Sequence, residues 1–176
     1  MSGKDTNKKK LKIRKEQPEF EQQIVDLARV TRVMAGGKRM RFRACVVIGD
    51  KKGQVGVGLA KGRDVALAVE KAVAKAEKNL TKVNLVNGTI PHEIYVKVGA
   101  AKVLLKPAPA GTGIIAGGAS RLVLELAGVK NVVSKIMGTN NKISNVDATI
   151  KALSSLKKIK EEKIDNKEDK NIKIQE

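Results

Sequence analysis

The chain has 176 residues, 41% apolar but only 2% aromatic, so one ordinary domain or two small ones can be built, around an aliphatic core. Lys and Arg total 36 against 18 acidic residues, and a net charge of +18 cannot be neutralised internally, which points to a polyanionic partner. One cysteine rules out an intrachain disulfide, and no apolar run approaches the ~20 residues that span a bilayer, so nucleic acid is favoured over membrane.

The opening 17 residues carry Lys4, Lys8, Lys9, Lys10, Lys12, Arg14 and Lys15 against Asp5 and Glu16. Such a run repels itself, and residues 1–19 read as a disordered basic arm until an anion orders them. The start has no apolar stretch of a secretory signal, and the lone Cys45 is compatible with a reducing compartment, so a cytoplasmic location is expected.

Three β-like segments follow: "IVDLARVTRVM" (24–34), "RMRFRACVVI" (39–48) and "QVGVGLA" (54–60). Gly36-Gly37 and "GDKKG" (49–53) separate them as hairpin signals. In the second segment Arg39, Arg41 and Arg43 share one face, and Met40 and Phe42 share the other. Asp64 then suits an N-cap for "VALAVEKAVAKAEKNL" (65–80), with Val65, Val69, Ala72, Ala76 and Leu80 on one helical face. Three antiparallel strands covered by a helix define an α+β domain over 20–85.

Residues 86–93 read as a linker, with a turn at Asn87-Gly88 and a proline at position 91. In "IYVKVGAAKVLLK" (94–106) two strands bend near Gly99. A glycine-rich loop leads into the helix "ASRLVLELA", stopped at Gly128, a suitable left-handed C′ position. "NVVSKIM" is a short strand, and "ISNVDATIKALSSL" places Ile143, Val146, Ile150 and Leu153 at helical spacing. The expected second domain, 94–157, is therefore β-β-α-β-α, followed by a mixed-charge tail over 158–176.

Three stretches could bind an anion. From Arg29 to Arg43 there are six cations (Arg29, Arg32, Lys38, Arg39, Arg41, Arg43) and no acid. Guanidinium forks on a strand face suit phosphate oxygens, and Gly36 and Gly37 let backbone approach a ligand. Charge that protects an edge strand explains one or two of these residues, not six. Lys61 and Arg63 sit at the mouth of the first helix, with Lys71 and Lys75 along its side, as anion ligands or as ordinary solvated charges. "KPAPAGTGIIAGGASR" (106–121) precedes a helix with four glycines and serves either phosphate contact or tight turns.

Enzyme chemistry finds little footing. The glycine-rich loop matches neither the GxxxxGK[ST] nor the GxGxxG pattern, and no acid lies between Ile94 and Leu124 to hold magnesium. His92 and Cys45 are single, without a partner at metal-ligand spacing, and Cys45 reads as a buried inert thiol. No catalytic residue, metal or cofactor is expected. With Phe20, Phe42 and Tyr95 the only aromatics, stacking on single strands has thin support, and folded RNA read by shape and phosphate pattern fits better.

The strings "VMAGGKRMRFRACVVIGDKKGQVGVGLAKGRDVALAVEKAVAKAEKNL", "NGTIPHE" and "KPAPAGTGIIAGGASRLVLELAGVKNVVSKIMGTNN" resemble, in order and spacing, the bacterial-type family of the fifth small-subunit ribosomal protein. The likeness covers about residues 20 to 157. It implies a double-stranded-RNA-binding-like domain followed by an α+β domain shared with small-molecule kinases, containing a left-handed β-α-β crossover where pattern alone favours the right hand. It also implies a structural constituent of the small ribosomal subunit that binds small-subunit rRNA near the mRNA entry path, touches ribosomal proteins four and eight, and supports translational accuracy. Carried over, the hairpin around Val30, Met34, Gly36, Gly37 and Lys38 inserts into RNA, while Gly113 and Arg121 lie at the contact with protein four. Ala101 stands where the family commonly has glycine, and Pro109-Ala110 where a Ser-Glu pair is usual.

Overall fold

A computed structural model describes residues 20–157; the expected basic arm and charged tail lie outside the described residues. The fold is α+β in two domains, each built on a four-stranded sheet. The first holds β1 (Glu21–Met34), β2 (Gly37–Gly49), β3 (Gln54–Gly62), α1 (Val65–Lys78) and β4 (Leu80–Lys82), with strand order β1-β2-β3-β4, all antiparallel. The second holds β5 (Ile94–Val98), β6 (Ala101–Pro107), β7 (Ile114–Ile115), α2 (Gly118–Leu126), β8 (Val132–Met137) and α3 (Lys142–Ser154), in the order β5-β6-β8-β7.

Both expected element strings need one addition. The first sheet has four strands, not three, because the helix stops at Asn79 and Leu80–Lys82 turn back to pair with Gln54–Gly56. The second domain is β-β-β-α-β-α: Ile114–Ile115 form a two-residue strand, parallel to β8, that is too short for any periodicity to show. The parallel pair and the helix between them form the β7-α2-β8 crossover unit.

The domains stack as helix, sheet, helices, sheet. On one face of the first sheet Ala44, Val46, Ile48 and Ala60 pack against Ala68, Ala72 and Ala76 of α1. Small residues on both sides make this approach close: a Cβ on Gly58 would stand 1.9 Å from the Ala72 carbonyl oxygen, and one on Gly56 2.5 Å from that of Ala76. On the other face Val25, Cys45, Val47 and Val55 join the inner residues of α2, α3 and the second sheet in one continuous core. Cys45, 1% exposed, is a free buried thiol whose pKa desolvation pushes up to about 11, with Asp147 and Asp26 adding to the rise and Arg43 opposing it.

Backbone bonds tie the two domains. The β2–β3 turn caps the C-terminus of α2: Lys51 N–H donates to the Leu126 carbonyl (3.0 Å) and Gly53 N–H to that of Ala127 (3.1 Å). Gly128, at φ +82, ends the helix as expected, and a Cβ there would meet the Lys51 carbonyl oxygen at 2.1 Å. Asp64 caps α1 as its position suggests, accepting from Val65 N–H at 2.7 Å. The turn expected at Asn87-Gly88 is present with both residues at positive φ, closed by paired bonds between Val86 and Thr89.

Candidate nucleic-acid interface

β2 is longer than its partner β3 can cover. Their pairing runs only from Phe42↔Gly62 to Gly49↔Val55, so Gly37–Arg41 are bonded to β1 alone. The chain therefore projects a two-stranded ribbon beyond the sheet, and every residue from Thr31 to Arg41 is exposed. The turn at its tip is Ala35-Gly36, one residue earlier than the sequence suggests, with Gly37 opening β2 at φ +134. A ribbon of two strands is marginal in water by itself, and this one also exposes Val33, Met34 and Met40.

The register sorts the cations. Directly opposed residues in an antiparallel pair share a face, so Arg32↔Arg39 and Val30↔Arg41 lie together on one side. Arg29↔Phe42, Thr31↔Met40 and Val33↔Lys38 form the other side. Arg43 is opposite Lys61 on β3, on the same side as Arg39 and Arg41. Like charges placed directly opposite cost stability, so the Arg32–Arg39 juxtaposition is unfavourable within this chain.

Two open grooves meet here. One, of about 280 Å³, is lined by Arg32, Arg39, Arg41 and Lys61 together with Val30, Thr31 and Met34, and has no carboxylate in its lining. The second, of about 480 Å³, shares Arg41 and Lys61 and continues along the start of α1 past Arg63, Leu67, Glu70 and Lys71. The fold thus joins two patches that are far apart in sequence into one cleft, whose single lining carboxylate is Glu70. Leu67, 55% exposed, is part of this surface and carried no signal in the sequence beyond its helical position.

Other expected residues lie elsewhere. Arg43 is not free: its Nη2 donates to Asp26 Oδ2 at 3.1 Å, and Lys142 of α3 reaches Asp26 Oδ1 at 3.5 Å. The sequence had offered no acid between Arg29 and Arg43, but a register shift between Ile24 and Asp26 brings Asp26 opposite Cys45, within reach of Arg43. Arg29 and Lys38 occupy the ribbon's other face, and Lys75 is turned to the Leu59 carbonyl at 3.2 Å. A Cβ at Gly36 or Gly37 would touch nothing within 4 Å, so packing inside the chain does not require either glycine.

For the glycine-rich loop the structure favours tight turns. Asn131 Oδ1 accepts from both Gly111 N–H and Gly113 N–H at 3.1 Å, consuming donors that a phosphate would use. Arg121 on α2 is paired with Glu125 at 2.7 Å. Gly113 and Arg121 therefore sit in the second domain, away from the cleft. Among the described residues no cluster of His, Cys, Asp or Glu could hold a metal, and no helix is long and apolar enough to cross a membrane.

A basic α+β chain with two sheets, an open cationic cleft and a projecting ribbon belongs to the class of binding and assembly proteins. Family comparison narrows that class. Residues 20–84 match the model for ribosomal protein S5, N-terminal domain, and residues 96–167 that for ribosomal protein S5, C-terminal domain. The small ribosomal subunit protein uS5 of three Campylobacter jejuni strains is in each case 51% identical over 139 residues, 79% of this chain and 95% of theirs. The chain belongs to the ribosomal protein S5 (uS5) family: it is a structural component of the small ribosomal subunit and not an enzyme.

Proposed function

We propose that the chain binds small-subunit rRNA through the ribbon and the cleft that runs from Arg32, Arg39 and Arg41 to Lys61, Arg63 and Lys71, with residues 20–85 and 94–157 as its working units. The observation that carries this is the opposition of Arg32 to Arg39 in a groove with no lining carboxylate. Phosphate oxygens between those guanidiniums would turn a repulsive pair into a bidentate clamp. Gly36 supports the same reading, since open space around it leaves room for an RNA backbone to approach.

In this reading Gly113 and Arg121 lie toward ribosomal protein four, protein eight is a second neighbour, and the mRNA entry path is close by. Support for translational accuracy then follows from position. A subunit with two arrangements that differ little in free energy is biased by any interface that holds one of them more tightly. Arg39→Glu with Arg41→Glu tests the proposal: the doubly substituted chain is expected to leave the small-subunit peak of a sucrose gradient or to raise miscoding. Normal incorporation with a normal error frequency overturns it.

A further inference from the structure

We propose that the groove between α1 and β1 receives a segment of this chain's own basic arm, residues 9–15, which lie outside the described residues; the contact is made within one chain and goes beyond the RNA-binding reading above. Helix α1 lies over β2 and β3 and stops short of the edge strand β1. The face left beside it is apolar. Ile24 and Leu27 are opposite Val46 and Ala44, so they share the α1 side of the sheet, and they are 49% and 45% exposed. On the same side an open groove of about 650 Å³ runs along Val69, Val73 and Ala74 of α1, with Gln22 of β1 also in its lining. A continuous apolar surface of this kind marks a binding site.

Charge selects the occupant. The groove's only charged lining residues are Glu70, which the cleft shares, and Glu77, in a chain whose net charge is +18. Two carboxylates turn phosphate away and favour a segment that is both apolar and cationic. The arm holds one: in "KKLKIRK" (9–15) an extended chain turns Lys9, Leu11, Ile13 and Lys15 to one side. Glu70 and Glu77 stand two helical turns apart, about 10 Å, with Val73 between them. Lys9 and Lys15 stand about 20 Å apart with Leu11 and Ile13 between them, and flexible lysine stems close the difference.

Chain geometry selects the same segment. The described chain starts at Phe20, which packs against the α1-side core, and the groove-lining Gln22 follows two residues later. From Phe20 back to Lys15 the chain reaches about 17 Å at full extension, more than the separation of the two glutamates. A tether this short gives a local concentration in the millimolar range, so a contact too weak to hold a separate peptide or a second copy is still filled.

The test is paramagnetic broadening in the full chain, free of the ribosome, carrying Cys45→Ala and a nitroxide on Lys12→Cys. The methyl signals of Val69 and Val73 are expected to broaden, and those of Val133, on the second sheet at the other end of the stack, to stay sharp. Leu11→Ser/Ile13→Ser in the same chain is expected to abolish the broadening, and Glu70→Gln/Glu77→Gln to weaken it. Broadening that either double variant leaves unchanged overturns the proposal, because tethering alone then brings the label near. Sharp signals at Val69 and Val73 overturn it as well. Broadening seen only between labelled and unlabelled molecules in a mixture assigns the groove to a second copy and also overturns it. None of these results bears on the rRNA reading, which incorporation tests.

Discussion

The two sheets have the same number of strands and are used differently by the rest of the molecule. The first is covered on both faces, by α1 on one side and by the second domain on the other; the second is covered on one face only. The difference is written into the strands. "ACVVI" in β2 is buried without a break, while "AKVLLK" in β6 alternates buried with half-buried or exposed. A strand covered twice has no polar side to present, and a strand covered once has one. The part of β2 before Phe42 is covered on neither face, and it is there that Arg39 and Arg41 stand.

This contrast can be broken most severely at the doubly covered sheet. Gly58→Ala forces a methyl into the carbonyl of Ala72 and is expected to cost about 3 kcal/mol or more in urea unfolding. A polar exchange on the open face of the second sheet, such as Leu104→Thr, is expected to stay within about 1 kcal/mol. Equal losses would mean that the second sheet's outer surface is not free.

A smaller effect is expected where the ribbon is rooted. Asp26→Asn removes the charge shared by Arg43 and Lys142, and Arg43 already has a buried Nε without a partner. The expected cost is about 1 kcal/mol, measured by the same unfolding curves and reduced in high salt, since all three groups retain some exposure.

The smallest effect at neutral pH belongs to Cys45. Its thiol pKa rises from 9.0 to about 11 in the folded chain, so the fold favours the protonated form. Below pH 9 both folded and unfolded chains keep the proton and the contribution is complete; between about pH 9 and 11 the unfolded chain loses it first, and stability falls. Cys45→Ala is expected to flatten that alkaline decline, and alkylation of the native thiol at pH 7 is expected to be far slower than in urea.

Much of this arrangement was legible in the residues. Asp64 as a cap, Gly128 as a helix stop, the Asn87-Gly88 turn and the alternating arginine face each follow from local chemistry, and each is present. Local chemistry could not supply the rest. β4 and β7, of three and two residues, are made by pairing and not by pattern. The unbroken burial of "ACVVI" was the available sign that a second layer covers the sheet, but reading the strand as alternating hid it. The cleft depends on the β2–β3 register, which sets Lys61 opposite Arg43 so that it lines the same groove as Arg41, and the pairing of Arg43 with Asp26 depends on a register shift, so neither could be read along the chain.

The hydrogen bonds from the β2–β3 turn to the end of α2 have a consequence for synthesis. At about 5–20 residues per second the ribosome releases β2 several seconds before α2 and α3 exist. Until they emerge, Val47 and Val55 lack the cover they have in the finished chain, and the turn has no helix end to cap. A nascent chain halted before Gly118 should therefore display an apolar sheet face that holdase chaperones recognise, and its release from them should coincide with the appearance of the second domain.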